Sequence, residues 1–132
     1  MNRVLFSSAH AEWSTPKDVY DALNEEFHFT LDPCPLGGET EGLPTLFNPW
    51  RGHRAFINPP YGRQTGKWLS VGREADLAVF LLPARTDVAW FHDIVLPHAA
   101  EIRFIRGRLT FGEATTPAPF PSMVVIFRGG RR

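Results

Sequence analysis

A single cysteine, Cys34, in a chain of 132 residues excludes an intrachain disulfide framework. With no Cys/His cluster around it, a thiolate zinc site is excluded as well. Long hydrophobic runs are also missing. No segment has the length needed to cross a bilayer, and Met1 to His10 lacks the apolar stretch and cleavage site of a secretory leader. The expectation is a soluble protein of a reducing cytoplasm with no membrane partner. An excess of charge of either sign is absent too: Lys plus Arg and Asp plus Glu each number 14. The chain as a whole therefore has no field that would draw a polyanion, and contact with nucleic acid has to come from a local patch. Lysine is scarce and arginine carries nearly all of the positive charge. The arginine clusters are Arg103, Arg106 and Arg108 in one stretch and Arg128, Arg131 and Arg132 at the end, which a solvated face and a loose tail explain equally well.

What the chain does have is proline, 12 of them, and two fall in its most informative stretch, Asn58-Pro59-Pro60-Tyr61. Proline fixes φ and carries no N–H, so the pair stops the strand-like run Arg54-Ala55-Phe56-Ile57 and leaves carbonyls that no continuing ladder satisfies. The Asn58 side-chain oxygen adds an acceptor, and Tyr61 adds a flat face with a polar tip. Such a corner can grip a planar amine beneath a stacked ring. The same tetrapeptide also reads as an ordinary strand-ending turn.

The length and the 43% hydrophobic content suit one domain over residues 1–132, with 1–11 as a flexible lead and 129–132 as a basic tail. Ser14 and Thr15-Pro16 read as a hydroxyl cap and proline opening a helix over Lys17 to Glu26, with Val19, Tyr20, Leu23 and Phe27 on one face. Phe27 to Asp32 reads as a strand ending at a carboxylate, and Leu36 to Gly52 as a long loop. After the proline corner, Gln64 to Glu74 has helical periodicity. Leu77 to Leu82 is a continuous apolar run of the kind buried on both faces of a sheet. Thr86 and Asp87 are placed to cap a helix through Leu96. Glu101 to Ile105 alternates as a strand, Leu109-Thr110-Phe111 extends the sheet or begins a loop, and Ser122 to Phe127 forms a last strand. Alternation of strand and helix predicts an α/β fold with a mostly parallel sheet and an antiparallel C-terminal strand. In parallel sheets ligands bind beyond the carboxyl ends of the strands. The loops Asp32-Pro33-Cys34, Asn58 to Tyr61 and Pro83 to Asp87 would share that edge.

The series Trp13-Ser14-Thr15-Pro16, Leu31-Asp32-Pro33-Cys34, Phe56 to Tyr61, Leu82 to Asp87, Trp90-Phe91, Arg108 to Phe111 and Pro119 to Ser122 resembles the small phage-type DNA N6-adenine methyltransferases. The likeness runs from about Glu12 to Phe127. It implies a reduced Rossmann-like fold that binds S-adenosyl-L-methionine through Thr15, Pro16, Asp32, Pro33 and Cys34. It implies catalysis at Asn58, Pro59, Pro60 and Tyr61, and a site-specific enzyme of a phage or prophage, working on duplex DNA with base flipping or on single strands, as a monomer or homodimer. Trp13, Arg85 and Arg108 are the candidate substrate contacts. The chain departs from related enzymes in two ways. The glycines after Asp32 are displaced to Gly37-Gly38, and the stretch between Asp32 and Asn58 is too short for two further strand–helix units. Glu39 or Glu41 is the candidate substitute for the acidic group this omits.

Several residues carry plainer readings. Trp50 is a core lid as readily as a stacking partner, and Trp68, Trp90 and Phe91 sit at packing positions. His53 is a surface histidine, Cys34 a small buried filler, and Asp87 a helix cap. The alternatives to DNA adenine methylation are methylation of another planar amine (RNA adenine, cytosine N4 or a protein amide) and an inactive nucleic-acid-binding module.

Overall fold

The computed structural model describes residues 14–34 and 50–129. Trp13, the flexible lead, Glu39, Glu41, most of the Leu36 to Gly52 loop and the tail arginines Arg131 and Arg132 lie outside the described residues.

Helix α1 (Lys17–Phe27) forms where the apolar spacing asks for it, and Val19, Tyr20, Leu23 and Phe27 pack as one face. Its start corrects the expected cap: Pro16 holds the N-cap position, with no side-chain cap hydrogen bond, and the Thr15 hydroxyl is engaged by Asn58. Its end corrects a second expectation. His28 turns into the left-handed region at φ 55° with its N–H on the Asn24 carbonyl, and the Asn24 side chain accepts the Phe29 N–H at 2.8 Å. Asparagine thus closes the helix after Phe27. The strand expected over Phe27 to Asp32 shrinks to one parallel bridge, Leu31 to Ala55.

Four strands follow: β1 (Arg54–Ile57), β2 (Leu77–Pro83), β3 (Glu101–Phe104) and β4 (Ser122–Phe127), in the order β1-β2-β4-β3. β1 and β2 are parallel, with Ile57 opposite Phe80, whereas β4 runs antiparallel to both β2 and β3. The C-terminal strand is antiparallel as expected. The sheet, however, has one parallel pairing and two antiparallel ones, not a mostly parallel ladder. The reason is burial: β2 and β4 are apolar apart from Ser122 and buried throughout, so both take central places, while β3 alternates charged and apolar residues, is largely uncovered and is left at the edge.

Side chains alternate along β2. Ala78, Phe80 and Leu82 meet Trp50, Trp68, Leu69, Phe91 and Val95 on one face, and Leu77, Val79 and Leu81 meet Leu23, Phe27, Phe56 and Phe111 on the other. Trp50 is therefore core, its ring 6.0 Å from that of Trp68. Helix α2 (Thr65–Gly72) lies on this first face, and at Gly72 its backbone is pressed against the sheet. A Cβ at Gly72 would run into the Phe80 ring, which cannot move aside between Trp50 and Phe127. Gly72→Ala is expected to cost ~1–3 kcal/mol through overpacking, read as a lower denaturation midpoint with an unchanged m-value.

The helix expected from Thr86 to Leu96 is found with a later start and a wider middle. Residues 86–88 bend, residues 89–90 begin the helix, a π-helical turn covers Phe91–Val95, and α3 (Leu96–His98) ends the segment. The Leu96 N–H reaches back to the Phe91 carbonyl, and Pro97, with no N–H, cannot carry on an α ladder, so a wide turn forms ahead of it. Asp87 is not a cap; it pairs with Arg85 at 3.6 Å. Leu109 to Phe111 joins no strand. This loop is closed by the Ala118 N–H on the Leu109 carbonyl at 2.8 Å and tied to the chain before α1 by the Gly112 N–H on the Ser14 carbonyl at 2.9 Å.

Arg103 leaves the expected basic patch. Its guanidinium forks onto both Glu26 oxygens at 2.7 Å, bonds Glu101 at 2.7 Å and lies over the Phe27 ring. The exposure of both carboxylates to solvent screens these pairs, so they orient Arg103 more than they stabilise the fold.

Candidate active site

Because β1 and β2 are parallel and Leu31 bridges β1 in the same direction, the segments after Leu31, Ile57 and Pro83 leave the sheet at one edge. Asp32, the Asn58 corner and Arg85 are thereby brought to a common side. Thr15 joins them from the segment ahead of α1.

At the corner, Asn58 is only 9% exposed, and a buried amide needs partners. Its Nδ2 donates to the Thr15 Oγ1 at 3.1 Å, and its Oδ1 accepts from the Tyr61 hydroxyl at 2.9 Å. The same hydroxyl lies 3.2 Å from the Leu81 carbonyl of β2. The turn is closed by Thr65, whose hydroxyl donates to the Pro60 carbonyl and accepts the Gly62 N–H, both at 2.9 Å. The Pro60 carbonyl is thus taken by the turn itself, which corrects the expectation that both proline carbonyls would face a ligand.

The Tyr61 ring is held edge-to-face by Phe111 and Phe120, with centroids 6.4 and 5.7 Å away. Sequence reasoning gave neither phenylalanine a role. The available signal was Phe120 standing between Pro119 and Pro121, where a lone aromatic in a rigid loop has to rest on something. Burial drives the Tyr61 phenol well above its ordinary 10.0, and the nearby Cys34 adds to the effect. Tyr20 is also raised, by burial first and by Asp32 and Asp21 after it. These are the two tyrosines of the chain. Alkaline spectrophotometric titration of the folded protein is therefore expected to show no tyrosine ionising at pH 10, and both doing so at ordinary values in denaturant. Since a raised phenol pKa means the unfolded state loses its protons first, stability falls as pH rises past 10.

Asp32 is exposed, yet the protein mass around it desolvates the carboxylate and pushes its pKa above the ordinary 3.8; the Cys34 N–H on its Oδ1, at 3.2 Å, pulls the other way. Cys34 itself is buried in the core, while Pro16 and Pro33 are half-buried. His53 bonds Thr30 at 3.1 Å through its Nδ1 and stays apart from the corner. Arg108 is exposed, as are Arg106 and Arg63, the last two residues beyond Tyr61.

The family model for DNA N-6-adenine-methyltransferase (Dam) matches residues 4–130. The chain belongs to the Dam family. Searches of curated proteins and of solved structures gave no match. For a Dam-family chain the amino acids at the sheet edge take on a chemical meaning. The reacting group of the family's substrate is an exocyclic amine, and Asn58 offers an amide oxygen held at a fixed corner. Among the described residues no helix is long and apolar enough to cross a membrane.

Proposed function

We propose that this protein transfers a methyl group from S-adenosyl-L-methionine to the N6 amine of adenine in DNA, on a reduced Rossmann-like domain. The observation that carries the reading is the oriented amide of Asn58 at the end of β1 in a chain of this family.

Adenine N6 shares its lone pair with the ring and is a poor nucleophile. Hydrogen bonds from its two N–H groups to the Asn58 Oδ1 and the Pro59 carbonyl draw the nitrogen toward tetrahedral geometry and free that pair for attack. An amide oxygen carries two lone pairs, and Tyr61 occupies one of those on Oδ1. Tyr61, held by Phe111 and Phe120, braces the base in line. S-adenosylmethionine, when bound, supplies an electrophilic methyl on a sulfonium, so no covalent enzyme intermediate is needed. The N6–carbon bond forms as the carbon–sulfur bond breaks, and N6 then gives a proton to solvent.

The donor set of the chain fits that cofactor. Asp32 presents an exposed, partly desolvated carboxylate suited to ribose hydroxyls or an ammonium, with the part-buried Thr15, Pro16 and Pro33 around the same edge, while Cys34 supports the turn from the core. Duplex DNA hides the amine in the stack, and flipping the base costs a few kcal/mol, which phosphate contacts from Arg63, Arg85, Arg106 and Arg108 offset. Titration calorimetry with S-adenosylmethionine tests the cofactor half of the reading. Saturable binding is the expected result. No binding at millimolar cofactor with DNA binding intact would instead identify a binding module.

A further inference from the structure

The chain from Ile105 to Pro121, between β3 and β4, is fastened to the segments that meet at the active edge. Its Gly112 N–H bonds the Ser14 carbonyl at 2.9 Å, just before Thr15, and its Pro121 carbonyl accepts the Ala84 N–H at 2.8 Å, just before Arg85. Phe111 and Phe120 meet the Tyr61 ring edge-to-face, with centroids 6.4 and 5.7 Å away. The Ala118 N–H on the Leu109 carbonyl draws the ends of the loop together, and the Ala114 N–H on the Phe111 carbonyl, at 3.0 Å, turns the chain inside them. Between the buried Phe111 and Ala118, every residue from Gly112 to Pro117 is exposed. The loop thus holds a bare tip at a set position beside the Asn58 corner.

That tip contains no lysine or arginine; its polar side chains are Glu113, Thr115 and Thr116. The exposed cations stand outside it, Arg106 and Arg108 ahead of it and Arg63 and Arg85 on other segments of the edge. Phosphate contacts fix a protein on DNA without reading sequence, whereas base edges are read by groups that match their donors and acceptors. A carboxylate is repelled by phosphate. In the major groove, however, it meets a donor in the N4 amine of cytosine. Resting on the methyltransferase reading, we propose that the tip Glu113 to Thr116 reads a base pair flanking the target adenine, with Glu113 accepting a hydrogen bond from cytosine N4. The tip selects which adenines are methylated, while the Asn58 corner serves the reacting amine.

The test uses a pool of DNA duplexes randomised around one adenine. Wild type and Glu113→Ala methylate the pool, and the flanks of the methylated molecules are sequenced; the same pool also passes through a selection for binding without cofactor. Wild type is expected to favour cytosine at one flanking position by roughly 10-fold in kcat/KM, near the low end of what a base contact supplies. Glu113→Ala is expected to bring that ratio close to 1. Glu113 is exposed, so the variant keeps the fold. A ratio unchanged by Glu113→Ala overturns the proposal, whether transfer rises at all sequences alike, as for a charge that only repels phosphate, or falls at all alike, as for a support of the loop. A wild type with no cytosine preference in either readout overturns it as well. Should wild type bind the pool and methylate no adenine, the methyltransferase reading fails, and the tip is then judged by the same ratio in the bound molecules.

Discussion

Asn58→Ala is expected to lower methyl transfer to DNA by ~10²–10³-fold, the usual loss on removing one preorganised hydrogen-bonding group from a reacting centre. The fold should survive the change. Asn58 sits after β1 and outside both apolar clusters, the turn beyond it is closed independently by Thr65 on Pro60 and Gly62, and Tyr61 keeps the Leu81 carbonyl as a partner. What the substitution strands is the Thr15 hydroxyl, at a cost of ~1–3 kcal/mol at most. Single-turnover transfer and thermal melting of the same preparation separate the two effects. A large loss of rate beside a small drop in melting temperature supports the role given to the amide, and an unchanged rate removes it.

The largest expected loss of stability comes from Phe80→Ala. Phe80 is fully buried at the middle of β2, the strand that joins the parallel and antiparallel parts of the sheet. Its ring touches Trp50, Phe127 and the backbone of Gly72. Truncation to alanine should cost ~3–5 kcal/mol, a large share of the ~5–15 kcal/mol that holds a domain together. The geometry adds a sign. With the ring gone, a Cβ at position 72 has room, so Gly72→Ala should be harmless or favourable in the Phe80→Ala background. Urea unfolding of the two single variants and the double closes this cycle. Simple additivity would mean that Gly72 is not pressed against Phe80.

Some of this arrangement was legible in the residues themselves. The apolar runs at Leu77 and Ser122, the spacing of Val19, Tyr20, Leu23 and Phe27, and the double proline after Ile57 all led to elements found where they were expected, because each signal is local. The misses are places where a distant contact or a single residue overrode the pattern. Phe27 reads as the start of a strand, but the Asn24 side chain and the left-handed His28 keep it in the helix. Thr15 reads as a cap, but Asn58 claims its hydroxyl. Pro97 turns an expected α-helix into a π turn. The place of β4 between β2 and β3 depends on which apolar strand is covered on both sides, and periodicity along one segment does not carry that. At the site, Asn58 and Tyr61 were legible from their motif. The support they receive from Thr15, Leu81, Phe111 and Phe120 exists only once the sheet edge is assembled.

The most direct test of the proposed chemistry is the identity of its product. DNA incubated with the protein and methyl-labelled S-adenosylmethionine is digested to nucleosides and resolved by mass spectrometry. The label is expected in N6-methyl-2′-deoxyadenosine and is expected to vanish with Asn58→Ala. Label in N4-methylcytosine, or none in DNA from a protein that binds the cofactor, would contradict the account.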